Sequence, residues 1–192
     1  IYIHIPFCKK ACTYCDFHFS TSLKMKAEFM DALIMEIDLR KVVFSGQEVS
    51  TIYFGGGTPS LLTKDELKII FEKLSDSFNI SERAEITLEA NPDDLTFEKI
   101  AEIKESPINR LSIGVQSFRD DDLKFMNRAH TAENAIQSIV MVQDAGFENL
   151  TIDLIYGTPG MTDGAWIQNL HKSFDLNIPH LSSYALTVEE KT

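Results

Sequence analysis

Short apolar, β-branched runs alternate with longer stretches of helical period along this chain. The runs Ile1–Ile5, Thr51–Gly55, Glu85–Ala90, Arg110–Val115, Thr151–Ile155 and Leu181–Leu186 predict strands. Apolar stripes at helical spacing lie between them. Phe29, Leu33 and Ile37 mark the first, and Leu67, Ile70, Phe71, Leu74 and Phe78 the second. Ile100 and Ile103 belong to a weaker third, Ala135, Ile139 and Val142 to a fourth, and Trp166 and Leu170 to a fifth. Thr63-Lys-Asp-Glu66 predicts a capping box at the start of the second helix, and Gly146 a cap at the end of the fourth. Six β–α repeats with no hairpin signal predict parallel strands joined by helical crossovers. The strands are apolar almost throughout, which predicts cover on both faces. An open doubly wound sheet and a barrel both fit. Six units fall short of a full eight-stranded barrel of roughly 250 residues.

Three polar residues interrupt these strands: Glu89, Gln116 and Asp153. An unpaired carboxylate is costly to bury, so each needs a partner or a ligand. The carboxyl ends of strands are where parallel β/α proteins bind ligands, and Glu89 and Gln116 stand at such ends.

The chain's 192 residues suffice for one domain with a sizeable core. Its 29 acidic and 18 basic side chains give a net charge of −11. That balance argues against non-specific nucleic-acid binding and fits a soluble cytoplasmic protein. The longest apolar runs are strand-sized, so neither a membrane span nor a signal peptide is expected. The chain opens at Ile1 inside a strand pattern and stops at Thr192 just after another. Residues 1–192 are therefore expected to be a single core domain of a longer protein.

All three cysteines fall within eight residues, as Cys8-Lys-Lys-Ala-Cys12-Thr-Tyr-Cys15. An odd, clustered set argues against disulfides and for a reducing compartment. Three thiolates suit an iron–sulfur cluster with one ligand missing. Zinc is the alternative, because His18 would complete a Cys3His set in a zinc-bound β/α interaction domain. A structural zinc usually staples a domain without a core, and this chain needs no staple. After the second strand comes Tyr53-Phe-Gly55-Gly56-Gly57-Thr58-Pro59. Its glycines permit close approach of the backbone to a ligand, or simply a tight turn. It is neither a P-loop nor a dinucleotide fingerprint.

The thiol triplet, the glycine run and Glu89 occur in that order on three successive strands. With Tyr2-Ile-His-Ile-Pro-Phe-Cys8, Leu88-Glu-Ala-Asn-Pro, Arg110-Leu-Ser-Ile-Gly-Val-Gln-Ser-Phe and Ile152-Asp-Leu-Ile-Tyr-Gly-Thr-Pro-Gly, the chain resembles the radical S-adenosylmethionine (SAM) superfamily. Within it, the resemblance is to the oxygen-independent coproporphyrinogen III oxidase family. It implies an α/β fold, a partial (β/α)6 TIM-like barrel. It implies a [4Fe–4S] cluster on Cys8, Cys12 and Cys15, whose fourth iron binds SAM. An electron from the cluster then cleaves the sulfonium to methionine and a 5′-deoxyadenosyl radical. Tyr2, Gly56 and Glu89 match positions around that SAM. Tyr14, Gly57, Thr58, Gln116, Arg128, Asp153 and Ala185 match positions around a second SAM. On sequence alone Arg128 reads as a solvated charge, and Asp153 is its candidate partner. His4 reads as a packed core residue.

One departure separates two branches. The oxidase branch carries a fourth cysteine two residues after the third, where this chain has Phe17. The Phe17-His18-Phe19 pattern resembles the haem chaperone branch. That branch implies haem or porphyrin binding, delivery to a haem acceptor protein, and an electron donor such as a flavodoxin or ferredoxin. The oxidase of porphyrin biosynthesis is the alternative, and Phe17 puts its activity in doubt.

Overall fold

A computed structural model describes residues 1–43 and 45–187. In chain order the elements are β1 (Tyr2–Ile5), α1 (Lys26–Arg40), β2 (Glu48–Gly56), α2 (Lys64–Ser77), β3 (Asn79–Ala90), α3 (Phe97–Lys104), β4 (Arg110–Gln116), α4 (Asp120–Phe125), α5 (Ala132–Asp144), β5 (Leu150–Tyr156), α6 (Asp163–Asp175) and β6 (His180–Ala185). The strands form one sheet in the order β1-β2-β3-β4-β5-β6, every pair parallel. Among the described residues β1 and β6 remain edges, so the sheet is a partial barrel. No described helix is long and apolar enough to cross a membrane.

All six expected strands are present, but their faces differ from expectation. Ile3, Ile5, Ile52, Phe54, Leu88, Leu111, Ile113, Ile152 and Leu154 are buried in one core with Leu67, Ile70, Leu74, Ile103, Ile139 and Val142 of the helices. The alternate positions point the other way. Register places Tyr2 beside Tyr53, Tyr53 beside Thr87, Glu89 beside Ser112 and Asp153 beside Ser182. The inner face is thus polar, and only the outer face is covered by helices. Burying each large aliphatic or aromatic side chain contributes about 1.5–3 kcal/mol. The outer layer therefore holds the fold, and the inner face is free to carry chemistry.

Local signals explain the helix ends. The Thr63 hydroxyl accepts from Glu66 N–H (3.2 Å), and Glu66 accepts from Thr63 N–H (2.7 Å), completing the capping box. Lys26 of α1 reaches the same carboxylate at 2.7 Å and ties the two helices together. At the end of α5, Gly146 takes φ +83°. Gly146 N–H donates to Gln143 O and Phe147 N–H to Val142 O, a Schellman turn. Helix α4 has no counterpart among the expected helices. Its six residues open with three aspartates and are too short to show a stripe.

Candidate functional site

The thiol loop leaves β1 at Pro6 and returns at Ser20. Cys8 N–H donates to Ser20 O (3.0 Å) and Ser20 N–H to Pro6 O (2.8 Å), which closes the loop at its base. Its tip docks on the C-terminal end of α4. Thr13 donates from its N–H to Met126 O and from its hydroxyl to Phe125 O (3.0 Å). Asn127 donates to Ala11 O (2.7 Å). Asn127 has φ 55° and closes a second Schellman turn, in which Arg128 N–H donates to Leu123 O. Lys9 pairs with Asp93 and with the buried Asp94, which also accepts from Ser60 (2.6 Å).

Cys8, Cys12 and Cys15 are free thiols, all half-buried. Burial pushes the Cys8 thiol up, and the Thr58 hydroxyl offsets part of that. Burial also pushes Cys15 up, against the Phe17 backbone. Bound cationic iron would reverse this balance and favour the thiolates. Among the described residues no three His, Cys, Asp or Glu side chains are arranged to hold one metal ion. Phe17, two residues after Cys15, is 72% exposed.

The glycine run brings the end of β2 against this loop. Gly57 N–H donates to Ile5 O (2.9 Å), and a Cβ at Gly57 would stand 2.7 Å from Phe7 O. Gly56 takes φ +109°, and a Cβ there would stand 2.6 Å from the His4 ring. Gly56 N–H donates to Glu89 Oε2 (3.2 Å), and the Tyr53 hydroxyl donates to Glu89 Oε1 (2.7 Å). Burial raises the Glu89 pKa, and these donors oppose it. Tyr53 stacks on Tyr2 at 6.0 Å between ring centroids. His4 is half-buried on this same face and bonds to the Tyr2 hydroxyl and to His18 O. It is therefore not packed in the core.

A second group centres on Arg128. Its Nη2 donates to Asn91 Oδ1 (2.6 Å) and Gly114 O (2.7 Å). Its Nη1 lies 3.4 Å from both Cys12 Sγ and the Tyr14 hydroxyl. Nε is buried with no partner. Arg128 is thus a fixed, half-buried charge and not a solvated one. The expected ion pair with Asp153 does not form. Burial raises the Asp153 pKa, opposed by Ser182 and then by the field of Arg128. Asn91 joins the two groups, since its Nδ2 donates to Thr58 Oγ1 (3.1 Å).

Gln116 ends β4 with φ 67°. Ser117 N–H donates to Val115 O (2.9 Å), so Gln116 occupies the centre of a γ-turn, a strained place for a non-glycine residue. His130 Nε2 lies 3.0 Å from the same Val115 oxygen. His130 is buried, and desolvation lowers its pKa to about 4, leaving a neutral ring. Beneath the turn, buried Asp122 accepts from Ser117 and Thr158, both at 2.8 Å.

The fold thus gathers Tyr2, Gly56 and Glu89 on one side, and Cys8, Cys12, Tyr14, Thr58 and Arg128 on the other. Gly57 and Cys15 stand on the loops between. Ala185 is exposed at the end of the edge strand β6, with Tyr156 as its strand partner. Sequence reasoning passed over Tyr53 and Asn91. Each stood in a quoted motif, but neither motif shows which way its side chain points.

A half-open β/α barrel with thiols, a glycine turn and a carboxylate at its strand ends defines a metal-cluster and nucleotide class of protein. The Radical SAM superfamily matches residues 2–172, and the chain belongs to it. This family implies a [4Fe–4S] cluster and SAM. The chain is 38% identical to the haem chaperone HemW of Lactococcus lactis over all of this chain and 50% of that one. It is 39% identical to HemW of Bacillus subtilis, over all of this chain and 51% of that one. The chain spans about half the length of the curated relatives it matches. Coproporphyrinogen III oxidase (HemN) from Escherichia coli, a radical SAM enzyme, superposes with a TM-score of 0.88 at 32% identity, over 97% of this chain and 43% of that one.

Proposed function

We propose that this chain is the cluster- and SAM-binding core of a cytoplasmic haem chaperone. Cys8, Cys12 and Cys15 would hold the cluster. Tyr2, Gly56 and Glu89 would hold SAM at the open iron. Bound there, the cluster and SAM supply a one-electron reductive cleavage. A carboxylate has about four acceptor positions, and Tyr53 and Gly56 occupy two on Glu89. The rest suit the SAM ammonium, and both donors favour the ionised form against the effect of burial.

A second SAM would lie among Tyr14, Gly57, Thr58, Gln116, Arg128, Asp153 and Ala185. The unpaired buried Nε of Arg128 and the strained Gln116 turn support that reading. The guanidinium and the Gln116 amide suit a carboxylate and an amine. Haem or a porphyrin, an electron donor such as a flavodoxin or ferredoxin, and a haem acceptor protein would be the partners.

Phe17 carries the choice of chaperone over oxidase, because it stands where the oxidase branch has a fourth cysteine. The 32% identity to a coproporphyrinogen III oxidase favours the second reading, oxidative decarboxylation of coproporphyrinogen III. An anaerobic assay of the intact protein with cluster, SAM and reductant separates them. Haem binding without porphyrinogen turnover is expected. Formation of protoporphyrinogen IX would overturn the chaperone reading.

A further inference from the structure

We propose that Arg128 sets the reduction potential of the cluster by holding a fixed positive charge against Cys12. The inference rests on the reading that Cys8, Cys12 and Cys15 hold a cluster.

Arg128 Nη1 lies 3.4 Å from Cys12 Sγ, within N–H···S range. Its other end is pinned by Asn91 Oδ1 and Gly114 O, and its backbone by the turn that ends α4. Gly114 leaves little slack, since a Cβ there would stand 3.3 Å from Nη2. Nearby charges are disposed differently. Lys9 pairs with Asp93 and Asp94 and offsets one of their two charges. Lys10 bonds to Arg128 O, away from the sulfurs. Among the described residues Arg128 itself forms no ion pair with a carboxylate, although Asp93 and Asp153 lie within its field. A fixed cation and an N–H···S bond both favour the more negative, reduced cluster. The chain has a net charge of −11, which by itself disfavours reduction. Arg128 opposes that locally, at a distance where the Coulomb interaction is strong.

The test is an anaerobic potentiometric titration, followed by electron paramagnetic resonance, of the intact reconstituted protein without SAM. Iron and sulfide are quantified on each sample. Arg128→Met should shift the midpoint to lower potential. Arg128→Lys, which keeps a charge without the fork, should shift it less in the same direction. Asn91→Leu keeps the guanidinium but removes its anchor, and should also give a smaller downward shift. Wild-type midpoints in Arg128→Met and Asn91→Leu at equal iron content would overturn the proposal. Should Arg128→Met lose its iron, unchanged midpoints in the other two overturn it equally. A wild-type protein without iron and sulfide would overturn the cluster reading itself, and this inference with it.

Discussion

The Tyr53 hydroxyl donates a 2.7 Å hydrogen bond to Glu89 Oε1, across the neighbouring strands β2 and β3. With Gly56 N–H on the other oxygen, it holds a half-buried carboxylate on the inner face of the sheet. Burial raises the Glu89 pKa, so the folded state keeps this proton to higher pH than the unfolded chain. Its ionisation therefore costs stability as pH rises out of the carboxylate range, and the cost is absent below about pH 4. Glu89→Gln should match or exceed the wild-type melting temperature at pH 7, with the gap closing toward pH 4. SAM binding should weaken about ten- to a hundredfold, the range of one charged hydrogen bond. Calorimetric melting and SAM titration check both parts; unchanged SAM affinity would return Glu89 to a structural role.

Replacing any one thiol should remove the cluster, because the chain has no spare cysteine. Cys12→Ala is the sharpest case, since Cys12 also contacts Arg128. Iron and sulfide analysis after anaerobic reconstitution is the measurement. A full cluster in Cys12→Ala would mean that the ligand assignment is wrong.

Gly57→Ala should both destabilise the fold and impair cluster loading. The added Cβ meets Phe7 O at 2.7 Å and Ile5 O at 2.9 Å, and both obstacles are backbone. Neither can swing aside as a side chain would. Overpacking of this kind costs about 1–3 kcal/mol, and the displaced loop carries Cys8. Urea unfolding and iron content should fall together. A wild-type urea midpoint would show that the loop relaxes freely.

His130 predicts a pH effect of opposite sign to Glu89. Its pKa is lowered to about 4 in the folded protein. The unfolded chain takes up this proton first, so the contribution is present above about pH 6.5 and is lost as pH falls toward 4. The full window corresponds to roughly 3 kcal/mol. His130→Gln keeps a donor for Val115 O and should flatten the wild-type decline. Parallel pH profiles from denaturant unfolding would reject the assignment.

The sequence by itself determined the six strands, the capping box at Thr63, the helix stop at Gly146 and the thiol triplet. Each of these signals is carried by periodicity or by spacing within a few residues. The tertiary structure decided what each side chain faces. The strands looked apolar on both faces, yet parity and register turned Tyr53, Glu89, Ser112 and Asp153 inward together. Helix α4 was invisible because six residues carry no period, yet its end anchors the thiol loop and delivers Arg128 to Cys12. Unlike charge suggested Asp153 as the partner of Arg128. The guanidinium instead spends its donors on Asn91, Gly114, Tyr14 and Cys12. Chemistry at this site depends on contacts between residues as far as 116 positions apart, which only the fold brings within reach.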